Sequence, residues 1–214
     1  MSSELTSPTG VRARTVSPAR MAKYRAEKEA IMRAAYDLIQ RNGSKETSVH
    51  DVLRETGYST RAFYRHFRSK DELVLEMYRV DSDRVAEALV AAVASAPTPI
   101  DALEAWIDQN LAVVYDGRRL RHAAVLASPE VASADGYTEA YLTGLEAHRA
   151  PLVELLREGR QSGAFPYAEP EADAVAIQAV VGAHVRNRLL HADGLTRAEA
   201  RAHTLALFRR ALGA

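Results

Sequence analysis

The segment over residues 47–73 constrains the fold of this chain more than any other. Apolar residues recur in its first part at helical spacing, and Gly57 then interrupts the pattern. Glycine adopts the left-handed backbone conformation that ends many helices without steric cost. A second short helix is predicted from Thr60 to Phe67, behind Ser59, whose hydroxyl can cap it. The segment therefore predicts two short helices joined by a tight turn, which is the helix-turn-helix layout.

The second short helix is predicted to have two different sides. Phe63 and Phe67 are four residues apart, so they share a face and are expected in the core. The opposite side carries side chains of DNA-contacting types, and proteins of this layout place such a helix in the major groove. The alternative is a pair of helices without a role in DNA binding, because the pattern alone is often a false positive. The outer residues are Thr60, Arg61, Tyr64 and Arg65.

Capping residues are predicted at both ends of the segment. Thr47 is expected to cap the first short helix by accepting from a backbone N–H of its first turn. Ser69, with Glu72 three residues later, forms the pattern of a capping box and fixes the start of the next helix. Lys70 then lies at the positive end of that helix, where a phosphate is bound favourably.

These residues resemble the DNA-binding domain of the TetR family of bacterial regulators. The similarity covers roughly residues 24–75. The matching pieces are Thr47-Ser48-Val49, Val52, Gly57-Tyr58-Ser59, Phe63-Tyr64-Arg65-His66-Phe67 and Ser69-Lys70-Asp71-Glu72-Leu73.

The resemblance implies a role for each matching position. Tyr64, His66 and Lys70 match positions that contact phosphates, and His50 matches one that reaches a base or a phosphate. Three residues depart from the family pattern: Leu53 replaces a small alanine, Phe63 replaces a leucine, and Ala62 replaces a threonine and offers only a methyl group to thymine. Thr60, Arg61 and Ala62 match positions that face bases. The full predicted DNA-binding set is Thr47, Ser48, His50, Ser59, Thr60, Arg61, Ala62, Tyr64, Arg65, His66 and Lys70.

The remaining chain is predicted to be all-α, with about nine helices in total, because apolar residues recur at helical spacing and no strand pattern is found. We expect a disordered basic arm over residues 1–22, a helix-turn-helix domain over 23–70 and a helical ligand-binding and dimerisation domain over 71–214. The predicted helices outside the motif cover residues 24–41, 70–94, 100–116, 118–132 with a break near Pro129, 137–162 with a kink or break at Pro151, 171–192 and 196–212.

Composition narrows the class of protein. Residues 1–80 hold 15 Lys and Arg against 10 Asp and Glu, whereas residues 81–214 hold 13 against 18. A basic first part suits a polyanion. Arg12, Arg14 and Arg20 of the arm, with Lys23 directly after it, are candidates for the minor groove. The chain has no cysteine, no glycine-rich phosphate loop and no catalytic motif, so neither an enzyme nor a metal or cofactor is expected.

No apolar run approaches the roughly 20 residues of a membrane span, and a cytoplasmic location is expected.

Two further surfaces are predicted in the second part of the chain. A small, largely apolar effector is expected among aromatic and polar side chains, and a second copy of the chain against small side chains of the last two helices. Core packing is the alternative for both sets. The predicted ligand residues are Met77, Tyr78, Trp106, Asn110, Tyr115, His122, Leu126, Tyr141, Leu145 and His148. The predicted dimer residues are Val175, Ala176, Ala179, Val180, Ala183, Leu190, Leu205, Phe208 and Leu212.

The sequence therefore predicts a homodimeric regulator that binds a palindromic operator in duplex DNA, most simply as a repressor released by a small molecule. The rival from another class is a helical protein-interaction module that does not bind DNA.

Overall fold

The computed structural model describes residues 17–43, 46–191 and 194–214, and every regular element in this part of the chain is a helix. Nine of these helices have seven or more residues, and a tenth is a single turn. None of them is long and apolar enough to span a bilayer. In chain order they are α1 (Pro18–Asn42), α2 (Val49–Thr56), α3 (Thr60–His66), α4 (Lys70–Ala94), α5 (Pro99–Tyr115), α6 (Gly117–Leu126), α7 (Pro129–Ala132), α8 (Tyr137–Ser162), α9 (Pro170–Leu189) and α10 (Arg197–Leu212).

The first helix begins earlier than the sequence predicted. α1 starts at Pro18, six residues before the predicted start at Tyr24. A proline in the first turn fits a helix, because its fixed φ is helical and its missing N–H has no partner to lose there. The last residues of the predicted arm, including Arg20, therefore belong to α1. Its remaining part, with Arg12 and Arg14, lies outside the described residues.

Two prolines act differently in the second half of the chain. The predicted break near Pro129 is present, since it separates α6 from the single turn α7. Pro151 does not split α8, which continues through it. Leu152 and Leu155, just after this proline, are buried in the core, and their packing holds the helix together where the proline removes a backbone hydrogen bond.

Two hydrophobic cores meet along α4. The first combines side chains of α1, α2 and α3 with the first turns of α4 and with α6 and α7, and it includes Leu73 and Met77. The second combines the later part of α4 with α5, α8, α9 and α10, and its fully buried Leu89 lies three turns beyond Met77. Because one continuous helix contributes to both cores, the helix-turn-helix segment and the helical body are rigidly connected through it.

We predict that Gly159→Ala destabilises the protein, although alanine is the better helix former. A Cβ atom at Gly159 of α8 would overlap the ring of Phe165, which is completely buried and cannot move aside. Such overpacking costs about 1–3 kcal/mol, which exceeds the roughly 1 kcal/mol that alanine contributes over glycine inside a helix. The measurement is the free energy of unfolding in urea.

Gly117→Ala is the matched control, because the nearest atom to a Cβ there is the Arg121 Nη1 at 3.8 Å. It should change the free energy of unfolding little. An unchanged or higher stability of Gly159→Ala would contradict the packing around Phe165.

Candidate nucleic-acid interface

The first short helix is capped by Ser48 rather than by Thr47. The Ser48 hydroxyl accepts from the backbone N–H of Asp51 at 3.2 Å, and the Asp51 carboxylate accepts from the backbone N–H of Ser48 at 3.0 Å. The Ser48 hydroxyl also donates to the Asp51 carboxylate at 2.6 Å, and this bond together with the one from the Ser48 N–H holds the pKa of the Asp51 carboxyl below its ordinary value. Thr47 is buried and donates instead to the Gly43 carbonyl at 2.9 Å. The predictions that Thr47 caps α2 and contacts DNA are therefore wrong, since its side chain is used to close the turn after α1.

The turn between the two short helices has the predicted geometry. Gly57 has φ of 70° and ψ of 8°, and its N–H donates to the Leu53 carbonyl at the end of α2. Ser59 caps α3 by accepting from the Ala62 N–H at 3.2 Å. Ser59 is exposed at this turn, and Ser48 and His50 are exposed at the start of α2.

The inner side of α3 is fixed by two buried aromatic rings. Phe63 and Phe67 are 0% and 1% exposed, and their ring centroids are 5.6 Å apart. Ala62 lies next to them and is also buried, at 8% exposed. Its predicted contact with a base is therefore wrong, because its methyl group faces the protein. The residue is one position before Phe63 in a helix, so it falls on the edge of the inner face.

The outer side of α3 carries the basic and aromatic groups that the sequence predicted. Thr60 and Arg61 are exposed in its first turn, and Tyr64 is 55% exposed one turn later. Arg65 is half exposed and is positioned by an ion pair with Glu27 of α1. These four side chains form the outer face of α3, and they present hydrogen-bond donors and positive charge to the solvent.

His66 lies inside the domain, and its predicted phosphate contact is wrong. Its side chain is fully buried, with the ring of Tyr24 4.2 Å away between centroids and the Glu27 Oε2 3.4 Å from its Nε2. Both residues belong to the first half of α1. The prediction failed because the residues that cover His66 precede it by about forty positions. A carboxylate held near a histidine and an arginine anchors α3 to α1.

The start of α4 adds a second region that suits a phosphate. Ser69 caps this helix by accepting from the Glu72 N–H at 3.0 Å. The Glu72 carboxylate does not complete the predicted capping box. It accepts instead from the backbone N–H and the guanidinium of Arg68, and this hydrogen bonding lowers the pKa of the Glu72 carboxyl. Lys70 occupies the first position of α4, half-buried beside Ser48 and Val49 of α2.

Sequence reasoning missed Arg68 as a candidate DNA contact. Its side chain is 91% exposed in the short link between α3 and α4, close to the exposed face of both. The available signal was its position, since it lies two residues after the end of α3 and directly before the capping Ser69.

Residues 31–77 match the family model described as bacterial regulatory proteins of the tetR family. We call this matched stretch the TetR-family segment, because it is similar to the N-terminal domain of these regulators. It holds α2, α3 and the start of α4 with the later part of α1, so the match covers the exposed face described above. None of the curated proteins matches the chain.

Solved structures resemble the chain over most of its length. A protein of Pseudomonas aeruginosa PAO1 described as a transcriptional regulator has a TM-score of 0.75 at 22% identity, covering 88% of this chain and 91% of that one. A protein of Mesorhizobium loti MAFF303099 described as a TetR-family transcriptional regulator has a TM-score of 0.72 at 18% identity, covering 89% and 97%. The regulator FadR of Bacillus subtilis, in complex with stearoyl-CoA, has a TM-score of 0.71 at 16% identity, covering 86% and 98%. The helical body outside the TetR-family segment thus shares the fold of these regulators.

The predicted ligand residues do not line one pocket. Met77, Trp106 and Leu126 are buried in the two cores. The polar atoms of three others are satisfied by backbone carbonyls: the Asn110 amide donates to Trp106, the Tyr115 hydroxyl to Leu195 and the His148 Nε2 to Ser82. Tyr78 packs edge-on against Tyr137, and Tyr137 is also stacked with Tyr141.

Two of the ten lie at open clefts. His122 lines a cleft between α4, α5 and α6, and Leu145 lies in a separate groove along the start of α8. For the buried residues of the predicted ligand set, the structure supports the alternative, which is core packing. Sequence alone could not separate the two uses, because an aromatic residue of a helical body gives the same signal in a core and in a binding site.

The predicted dimer residues also fall into a buried group and a more exposed group. Leu205, Phe208 and Leu212 of α10 are buried within this chain, because α10 packs its apolar side against α5. Their assignment to a dimer surface is wrong. The α9 residues are different: Val180 and Ala183 are half-buried, and the remaining four are exposed. These four are Val175, Ala176, Ala179 and Leu190.

We predict that Ser59→Ala lowers the free energy of unfolding by about 1 kcal/mol, because an N-cap substitution of this kind typically costs 0.5–2 kcal/mol. The substitution removes the oxygen that accepts from the Ala62 N–H at the start of α3. Chemical denaturation followed by circular dichroism measures the effect. Thr60→Ala is the neighbouring control, because its exposed side chain does not cap the helix, and its effect should be much smaller. Equal stabilities of the two variants would contradict the capping role.

Proposed function

We propose that the protein is a DNA-binding transcriptional regulator of the TetR type that binds a palindromic operator as a homodimer. The observation that carries this proposal is the outer face of α3, where Thr60, Arg61, Tyr64 and Arg65 are exposed while Phe63 and Phe67 hold the helix to the core. A capped helix with one buried face and a basic, aromatic outer face is the arrangement that inserts into a major groove.

Phosphate contacts flank this helix in the proposed complex. The exposed Arg68, the N-terminus of α4 with Lys70, and the N-terminus of α2 with Ser48 lie beside it. Helix N-termini carry partial positive charge and free N–H groups, which suit a phosphate oxygen. Such contacts fix the position of the protein on DNA without reading its sequence, and base contacts of Thr60 and Arg61 supply the specificity.

The dimer is proposed to form through α9. Ala172, Val175, Ala176 and Ala179 recur at three- and four-residue intervals and are exposed, so they form an apolar stripe of mostly small side chains. Leu190 extends the stripe at the end of α9 and is 69% exposed. Small side chains let two helices approach closely, and a two-fold dimer uses the same surface on both copies. Its two α3 helices must lie about 34–36 Å apart to enter successive major grooves.

Regulation by a small molecule is proposed to follow from the shared helix α4. A ligand that binds the helical body in one arrangement of the dimer only shifts the population toward that arrangement. If the distance between the two α3 helices in the favoured arrangement does not match the spacing of successive major grooves, operator affinity falls. Repression requires only occupancy of the operator, because a bound dimer excludes other proteins from the same DNA. Regulation by a ligand is consistent with the FadR structure, which contains stearoyl-CoA.

The rival function is a helical protein-interaction module that does not bind DNA. It accounts for the exposed stripe of α9 equally well. It does not account for the capped α3 with Arg61 and Tyr64 outward, nor for the basic Arg68 and Lys70 beside it. Binding to duplex DNA that weakens as salt concentration rises distinguishes the two functions.

We predict that Arg61→Ala and Lys70→Ala weaken DNA binding in different ways. Arg61→Ala should cost about 1–3 kcal/mol on the preferred operator and should change the selected base at one position. Lys70→Ala should weaken binding to all duplexes and lower the dependence of log K on log salt by about one unit. In vitro selection of the operator, followed by fluorescence anisotropy at several salt concentrations, provides both measurements.

Arg121→Ala is the matched control for this experiment, since Arg121 is an exposed arginine of α6, outside the TetR-family segment. It should leave operator affinity unchanged. The proposal is wrong if Arg61→Ala and Lys70→Ala both bind like the parent protein.

We predict that Ala179→Glu converts the protein to a monomer. The side chain is exposed in the single chain, so the fold tolerates a glutamate, whereas a dimer through α9 would bury two opposed carboxylates. Light scattering measures the mass, and operator affinity should fall by roughly a hundredfold as the two half-sites are no longer bound together. Ala91→Glu, at an exposed alanine of α4, is the control and should remain a dimer. A dimeric Ala179→Glu protein would exclude α9 as the interface.

A further inference from the structure

A cleft between α4, α5 and α6 carries an unusual concentration of arginines. Its volume is about 390 Å³, within the range of roughly 300–1,000 Å³ that small-molecule sites occupy. We call it the arginine cleft, and its polar lining consists of Asp81, Arg84, Gln109, Arg118, Arg119 and His122.

The charge in the arginine cleft is strongly unbalanced. Three guanidinium groups face a single carboxylate, that of Asp81, and the Arg84 Nη1 lies 3.7 Å from it. The side chains of Arg118 and Arg119 form no ion pair with any carboxylate among the described residues. Asp116 binds their backbone N–H groups at 2.9 Å as the cap of α6, and it is not part of the cleft lining. An anion in the cleft would therefore meet two guanidinium groups that the protein leaves available.

The same cleft offers apolar surface. Val85 and Ala88 of α4 and Val113 of α5 line it beside the arginines. A ligand that is complementary to both the arginines and the apolar side chains has an anionic head and a short hydrocarbon body. We propose that the arginine cleft binds an amphipathic organic carboxylate, and that this carboxylate is the effector, a role that rests on the proposed regulatory function.

The cleft is connected to the DNA-binding segment by a direct ring contact. The His122 imidazole of the cleft is stacked on the Tyr36 ring of α1, with centroids 4.3 Å apart and an angle of 14° between the planes. Tyr36 is buried, and its hydroxyl donates to the Met77 carbonyl of α4 at 3.2 Å. Burial raises the pKa of both Tyr36 and Asp81, as expected for groups enclosed at this junction.

Movement of α6 by a bound carboxylate would thus be transmitted to α1. Glu27, which precedes Tyr36 in the same helix, pairs with Arg65 of α3. α4 provides a second connection, because it lines the cleft with Asp81 and Arg84 and begins at Lys70 beside the DNA-binding face. α1 contacts the cleft residue His122 and α4 lines the cleft, and these two helices also position α3 and the proposed phosphate-binding residues around it.

Octanoate, its neutral analogue octanamide and the cationic octylamine serve as probes of the cleft. Isothermal titration of the full chain should detect binding of octanoate and much weaker binding of the other two. The double variant Arg118→Gln/Arg119→Gln should lose at least about tenfold in octanoate affinity, because two charge-assisted contacts are removed. Asp81→Asn should bind octanoate more tightly, since it removes the one opposing carboxylate while keeping its shape.

Arg121→Gln is the matched control, because this arginine lies on the same helix but outside the cleft lining. It should bind octanoate like the parent protein. Thermal unfolding of each variant without probe checks that the fold is retained, which is expected because Arg118 and Arg119 are exposed. The assignment is overturned if octanoate does not bind, if octanamide binds equally well, or if the double variant retains full affinity.

Operator affinity, measured with and without octanoate, separates this inference from the proposed function. We expect octanoate to weaken operator binding by the parent protein. Tyr36→Leu, which removes the stacked ring, should reduce that effect, and Tyr36→Phe should retain it. A protein that binds operator but not octanoate keeps the regulatory function and overturns the cleft assignment. A protein that binds octanoate in the cleft but no operator keeps the ligand site and overturns both the regulatory function and the effector role.

Discussion

Burial of Phe63 and Phe67 decides how the DNA-binding segment works. Two rings that must leave water fix the rotation of α3 about its own axis, because they are one turn apart on a single face. Once that face points inward, Arg61 and Tyr64 must point outward. The exposed chemistry of the recognition helix is thus a consequence of core packing, and the capping hydroxyl of Ser59 sets where the helix begins.

The same packing requires the N-terminal half of α1. Glu27 and Tyr24 enclose His66 and position Arg65, so the inner side of the recognition helix rests on residues far away in the sequence. This arrangement explains why a histidine in the middle of a DNA-binding motif is unavailable to DNA. It also gives α1 two functions, since its other end contacts α6 through Tyr36 and His122.

Two long-range connections therefore join the helical body to the DNA-binding face. α4 contributes side chains to both hydrophobic cores. α1 carries Glu27, which pairs with Arg65 of α3, and Tyr36, which stacks on His122 of the arginine cleft. Packed helices of this kind move as rigid units, so a small displacement in the body would change the direction of α3. The proposed regulation by a ligand requires no further element than these, and the proposed α9 interface would convert the change into a different spacing between two copies.

Local chemistry was sufficient to predict the helix-turn-helix, since Gly57, Ser59 and the spacing of Phe63 and Phe67 act within a few residues of themselves. It also gave the bounds of α4 and α8 and the break near Pro129. Residues of similar type and helical spacing differ in burial, and the tertiary structure alone decided which of them are buried. His66, Ala62 and Trp106 are enclosed by helices distant in sequence, and Leu205, Phe208 and Leu212 pack within the chain because α10 lies on α5. The arginine cleft also depends on tertiary structure, because its residues come from three helices and only the packing of those helices brings their charges together.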